Sequence, residues 1–241
     1  MTRMKQPVGS EALQGTTPFE NLIDSSVEWG GGIWLTSGKW SAKISKDGKT
    51  VMEHGRPFKC PGRWRALERK FSDHVDSIAW TPALGKQEGF WCFSDTDCVR
   101  TDTAGDTSLE SGTLEERWPK LKGTEFARKI DACVCADYTS DSATFYFFAK
   151  GKVITYVRTA DPNAHRIEGK IDDVLTRYPR LNSAPAPTGI TSVLLMDKVT
   201  MFAFRNKMYK YAERSSDDRG PLTNGEMWPA VKSIVCQEDC G

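Results

Sequence analysis

Four similar runs recur along the chain, and their order restricts the fold more than any other feature. They are "LIDSSV" (22–27), "HVDSIA" (74–79), "KIDACV" (129–134) and "GITSVL" (189–194). Each puts Asp or Thr behind an apolar residue and a small residue behind that. The positions are Asp24, Asp76, Asp131 and Thr191, spaced by 52, 55 and 60 residues. After each run comes an aromatic-rich segment: "GIWLTSGKWSAKI", "GFWCFSDTDCVRTD", "TFYFFAKGKVITYV" and "TMFAFRNKMYKYA". Apolar stretches on both sides of a polar turn read as hairpins. A third marker closes each unit, at "GRWRALER", "ERWPKLKG", "TRYPRLNS" and "EMWPAVKS". Its aromatic residues are Trp64, Trp118, Tyr178 and Trp228, the last three followed directly by Pro. Three markers in one order, four times, define a repeat of roughly 50 residues built mostly of strands. The prediction is an all-β, four-bladed β-propeller with one four-stranded antiparallel sheet per blade.

The blades are expected at about 19–70, 71–123, 124–187 and 188–235, together one propeller over 19–235. Residues 1–18 read as an N-terminal extension, 236–241 as a C-terminal tail, and "LNSAPAPTG" (181–189) as a connector. The amphipathic segments "SGTLEERW" and "KIDDVLTRY" predict short helices ahead of the second and third closing aromatics.

Composition removes several function classes. Lys plus Arg number 33 and Asp plus Glu 32, so no basic surplus points to nucleic acid. No run approaches 18 apolar residues, so no membrane helix is expected. The first twenty residues hold no apolar core of a signal peptide. Cysteines number 7, an odd count that leaves at least one unpaired within the chain. These features predict a reduced, cytoplasmic protein, or a secreted one whose signal peptide has been removed, monomeric or homodimeric. No nucleophile elbow, phosphate-binding loop, dinucleotide fingerprint or zinc-protease motif is present.

The "IDA" run, the "YFFAKGKVITY" hairpin and the "RWPKL" closer resemble the hemopexin-like family of four-bladed propellers over about residues 19–235. The third unit matches best. The first departs at Trp64–Arg65, where the family has Trp-Pro, and the fourth has Thr191 in place of Asp. The resemblance implies a central channel ringed by the innermost strands. It further implies a structural calcium or sodium ion on main-chain oxygens at Asp24, Asp76, Asp131 and Thr191. Rings of carbonyl oxygen suit such hard cations; the bland reading has the Asp side chains bonding local backbone N–H groups. Secreted family members often join the first and last blades by a disulfide. Here no cysteine precedes the first blade, so the ring is expected to close by packing, helped by the extension.

Within such a fold, the mouths of the channel are the natural sites. Trp29, Trp80 and Tyr138, near the ends of inner strands, predict an aromatic funnel for a small hydrophobic or aromatic ligand. Asp73, His74, Arg128 and Lys129, just before inner strands, are candidate acid–base or anion-binding groups at a mouth. Cys133 and Cys135 share a strand face with apolar counterparts in other units, and read as packing rather than a metal pair. Cys98 should face Phe93 across its hairpin, which separates it from Cys92.

Two functions follow from different classes. One is a cofactor-free enzyme of specialised metabolism. It resembles at the fold level fungal pericyclases that perform a hetero-Diels–Alder cycloaddition of a quinone methide and a terpene; orientation in a dry pocket would supply most of the rate. The other is a non-catalytic binder of a small ligand, such as a polyamine, haem or a metal, as in the family's seed albumins, or a glycan- or protein-binding module.

Overall fold

The structure, a computed structural model, describes residues 17–58, 60, 64–67, 71–183, 189–196, 199–212 and 219–238. Sixteen strands form four separate four-stranded sheets. The first blade holds β1 (Ser25–Trp29), β2 (Gly32–Ser37), β3 (Trp40–Ser45) and β4 (Val51–Pro57). The second holds β5 (Ser77–Thr81), β6 (Gly89–Ser94), β7 (Asp97–Thr101) and β8 (Ser108–Thr113). The third holds β9 (Ala132–Tyr138), β10 (Ser142–Ala149), β11 (Lys152–Thr159) and β12 (Arg166–Asp173). The fourth holds β13 (Ser192–Met196), β14 (Val199–Phe204), β15 (Lys207–Ala212) and β16 (Arg219–Thr223). Every sheet is an antiparallel meander in chain order, and the innermost strands β1, β5, β9 and β13 touch one another around a closed ring. The expected fold is present.

The repeat has a local physical cause. Each middle hairpin turns on a residue of positive φ: Gly38 at 53°, Asp95 at 49°, Lys150 at 49° and Arg205 at 56°. Only the first is glycine, so three turns hold a strained backbone that needs outside support. The marker residue of the innermost strand supplies it. The Asp24 carboxylate accepts the Gly38 N–H at 2.6 Å, Asp76 that of Asp95 at 2.7 Å, and Asp131 that of Lys150 at 2.8 Å. Thr191 makes the equivalent, longer contact to the Arg205 N–H at 3.4 Å.

Short helices precede the closing aromatics, as expected for α2 (Leu114–Arg117) and α3 (Val174–Arg177), after α1 (Pro18–Asn21) and before α4 (Asn224–Met227). Thr113 and Thr223 cap α2 and α4 with Glu116 and Glu226 reaching back, which holds one-turn helices that propensity alone would not. Each closing aromatic then sits between two blades, three of them directly after such a helix. Trp64 meets Trp34 and Phe90, between blades one and two. Trp118 lies against Trp91, Phe145, Phe147 and Tyr156, between two and three. Tyr178 meets Phe148, Phe202 and Tyr211, between three and four. Trp228 packs with residues of blades four and one. The core is therefore four inter-blade wedges rather than one central cluster.

Closure at the fourth seam uses the expected packing and the end of the extension, and adds a further device. Of that extension, residues 1–16 lie outside the described residues. Thr17 and Pro18 open α1, and the Thr17 hydroxyl donates to the Val231 carbonyl at 2.8 Å. The Asn224 amide donates to the Phe19 carbonyl at 3.0 Å. Beyond these, the C-terminal segment is strapped to the outer strand β4: Gly55 donates to Val235 at 3.0 Å, Gln237 donates to Gly55 at 3.1 Å, and Gly55 and Cys236 form a parallel bridge. These edge backbone hydrogen bonds, which spacing between cysteines does not reveal, add to the packing around Trp228.

Cysteine usage also differs from a wholly reduced chain. Cys60 is disulfide-bonded, to a partner outside the described residues. Cys92, Cys98, Cys133, Cys135 and Cys236 are free. Cys98 pairs with Phe93 in register, as expected. Most of the proline-rich connector, residues 184–188, lies outside the described residues, as do 239–241 of the tail.

Candidate functional site: two ends of one channel

Each inner strand begins with a marker residue at one mouth and ends in different chemistry at the other. Trp80 lies four residue steps along the strand from Asp76, about 13 Å.

At the first mouth the predicted groups are largely engaged and do not form one cluster. The three carboxylates hold the turns described above. Asp76 also takes the Lys129 ammonium at 2.8 Å. The Thr191 hydroxyl donates across the seam to the Ile23 carbonyl at 2.7 Å. His74 Nε2 lies 3.1 Å from the Ser94 hydroxyl and 3.8 Å from the Asp95 carboxylate. Burial raises the Asp24 pKa; the Gly38 N–H opposes this and the neighbouring Asp76 charge adds to it. Burial works against the Lys129 ammonium, but the Asp76 hydrogen bond and the fields of Asp76, Asp131 and Asp95 outweigh it, so its pKa is raised. Lys129 is thereby a fixed cation, unsuited to act as a base at neutral pH. Asp73 shares a shallow depression with His74. Arg128 lines a separate one with Glu115, Glu125 and Lys150. The four candidate acid–base residues thus divide between two depressions and an ion pair. Donor atoms of His74, Asp76 and Asp95 lie within 4.8 Å of one another, but Asp76 is already held by Lys129 and the Asp95 N–H. Asp24, Asp76 and Asp131 are spent on the turns, so a channel cation would have to be held by main-chain oxygens rather than by these carboxylates.

At the second mouth the inner strands splay into a funnel of about 360 Å³. Trp29, Trp80 and Tyr138 all line it. The Trp29 and Trp80 rings stack at 6.1 Å, and Tyr138 stands edge-on to Trp80 at 5.0 Å. Tyr138 is 56% exposed, which makes it the rim rather than the wall. The floor is apolar, from Ile78, Val134, Val193 and Leu194. Beneath it, Ser26 and Ser192 share a hydrogen bond at 2.6 Å, and the Ser77 hydroxyl meets the Cys133 sulfur at 3.0 Å. This polar belt stitches adjacent blades across the channel.

Two lining residues were missed from sequence. Glu28 reaches the funnel at the position that Trp80 occupies in blade two, and pairs with the more exposed Lys46. The alignment of the repeats already placed Glu28 opposite Trp80, Cys135 and Leu195, and a carboxylate in that apolar column was the available signal. Cys135, read as packing, is only half-buried and lines the funnel with Cys133. Burial first, then the Asp137 charge, pushes the Cys135 thiol up to about 12, so it offers no thiolate there.

Four meander blades, an inner-strand carboxylate on each of three hairpin turns, and an aromatic wedge at every seam make this a hemopexin-like four-bladed β-propeller. Solved structures with this arrangement include an albumin seed protein from Dolichos (16% identity, TM-score 0.70, covering 89% of this chain and 99% of that one). A hemopexin-fold protein from cow pea matches similarly (16%, TM-score 0.70, 88% and 98%). So does a plant lectin with two metal-binding sites from Cicer arietinum (15%, TM-score 0.70, 90% and 99%). No family model matches the chain, and no curated protein does. Among the described residues no helix is long and apolar enough to cross a membrane.

Proposed function

We propose that the protein is a non-catalytic binder of a small organic cation, taken up in the aromatic funnel. One observation carries the reading: the Trp29–Trp80 stack, the Tyr138 edge and the Glu28 carboxylate converge on one apolar cavity of about 360 Å³. Ring faces attract ammonium groups, by about 1–2 kcal/mol when desolvated. An acidic side chain on the same wall selects positive charge. Polyamines combine amine heads with an apolar body and suit such a site. The seed albumins of this fold support a binding role, as does the separation of the acid–base candidates from the funnel. The disulfide at Cys60 favours an oxidising compartment over the cytoplasm. A structural channel ion, calcium or sodium, belongs to the same proposal.

The alternative is the cofactor-free cycloaddition in this funnel. It draws on one observation: the Trp80 indole N–H is buried without a hydrogen-bond partner among the described residues. Such a donor could polarise an oxygen on a bound quinone methide.

Titration of tryptophan fluorescence with spermidine, and with a neutral aromatic of similar size, separates the readings. Binding predicts saturable quenching by spermidine that Glu28→Gln weakens about tenfold. Lys129→Ala, at the far mouth, should leave it unchanged. Quenching by the neutral aromatic alone, with Glu28→Gln silent, would overturn the cation reading and favour the cycloaddition.

A further inference from the structure

Away from both channel mouths, a cleft between blades two and three encloses about 170 Å³. Its lining brings together Lys86, Arg100 on β7, Glu110 on β8 and Arg158 on β11. Both guanidiniums are buried, Arg100 with 4% and Arg158 with 9% of its surface exposed. One carboxylate serves all three cations: Glu110 lies 3.0 Å from Lys86 and 3.4 Å from each arginine. The adjacent Glu116 and Arg117 offset each other in charge. Glu116 accepts the Thr113 N–H at 2.8 Å, and Arg117 donates to the Ser111 carbonyl at 2.7 Å. Two positive charges therefore stand in excess among the described residues of the lining.

The remaining partners of the arginines are neutral. Arg158 donates to the Arg117 carbonyl at 2.8 Å and lies 4.6 Å and 4.7 Å from the Trp91 and Trp118 ring centroids. Arg100 donates to the Gln87 carbonyl. These contacts orient the guanidiniums without neutralising them, and a buried charge short of its counter-charge is costly. Pro119 and Pro162 wall the cleft and keep it narrow.

We propose that this cleft binds a phosphate group, free or as the head of a small monoester, between Arg100, Arg158 and Lys86. A compact dianion matches the excess of two charges, and planar guanidiniums present paired donors to phosphate oxygens. Consistent with an unfilled demand for negative charge, burial lowers the pKa of both arginines despite the attraction of Glu110.

The test is calorimetric titration and thermal melting with orthophosphate and with glycerol phosphate, against sodium chloride at equal ionic strength. Saturable binding and a raised midpoint are expected from one or both. The tighter of the two identifies the source. Lys86→Met, exposed at the rim, should weaken binding a few-fold and keep the fold. Glu110→Gln removes the competing carboxylate and should tighten phosphate binding about tenfold, with phosphate restoring a midpoint that falls in chloride. Trp80→Ala in the funnel should leave phosphate binding unchanged. A phosphate response no larger than that of chloride in the wild type and in Glu110→Gln, or weaker binding by Glu110→Gln, would overturn the proposal.

Discussion

The two ends of the channel are made by the same four strands yet are governed differently. At the marker end, Asp24, Asp76 and Asp131 repeat because each turn needs its carboxylate, and the chemistry is spent on architecture. At the funnel end the same strands carry Glu28, Trp80, Cys135 and Leu195 in one structural column, with no two alike. Nothing in the hairpins constrains that column, so it is where an individual protein can acquire a ligand. Repetition marks what the fold requires, and departure from repetition marks what the site can use.

Four substitutions or conditions probe this division. The largest effect should come from Trp118→Ala, which empties the wedge between blades two and three. Cavity formation there costs about 4 kcal/mol, and both ends should fail together in urea unfolding and ligand titration. Asp131→Ala should act on stability alone. It strips the Lys150 N–H of its acceptor at a positive-φ turn, costing about 2 kcal/mol in urea unfolding while funnel binding persists. Trp80→Ala should do the reverse, losing about 1.5 kcal/mol of spermidine affinity, roughly tenfold by fluorescence, with the unfolding midpoint little changed. If Asp131→Ala weakened binding as much as Trp80→Ala, the two ends would not be separable.

The smallest effect is a slope with pH. Burial first, and the Arg158 charge second, hold the His165 pKa below the usual 6.5. The folded imidazole stays neutral while the unfolded chain takes up a proton near 6.5. Its stability contribution is whole above that pH and is lost as pH falls from 6.5 toward the folded value. Melting curves between pH 7.5 and 5.5 should show this decline, and His165→Gln should flatten it. Because His165 lines the cleft between blades two and three, that seam and not the funnel should loosen first.

The legible part of the fold was the part that repeats. Apolar alternation and turn residues gave the strands, and the closing aromatics gave the seams, because burial fixes residue type at those positions. The positions of Trp29, Trp80 and Tyr138 at one mouth followed from register alone. Glu28 was less visible because its meaning lies in which column it faces, and a single carboxylate in a strand reads as solvent-facing. The cleft at Arg100 and Arg158 was not legible at all. Its cations sit in two different hairpins and in different columns: Arg100 shares its column with Lys43, Thr155 and Lys210, Arg158 lies three residues beyond Thr155, and only seam geometry brings them to Glu110. The strap of Val235–Gln237 on Gly55 left no pattern either, since main-chain hydrogen bonds are indifferent to side chain.

The thiols of the third inner strand bear on how such a chain survives oxidation. Burial pushes Cys133 and Cys135 both up to about 12. At pH 7 only about one molecule in 10⁵ would carry either thiolate, against a few per cent for an ordinary exposed cysteine. Disulfide exchange runs through the thiolate, so attack by these sulfurs is slowed, although the greater nucleophilicity of a high-pKa thiolate offsets part of the loss. A disulfide at Cys60 and free sulfurs beside the channel can therefore coexist without trading partners. What protects the pairing is burial, reinforced at Cys135 by the Asp137 charge, which keeps the idle sulfurs protonated.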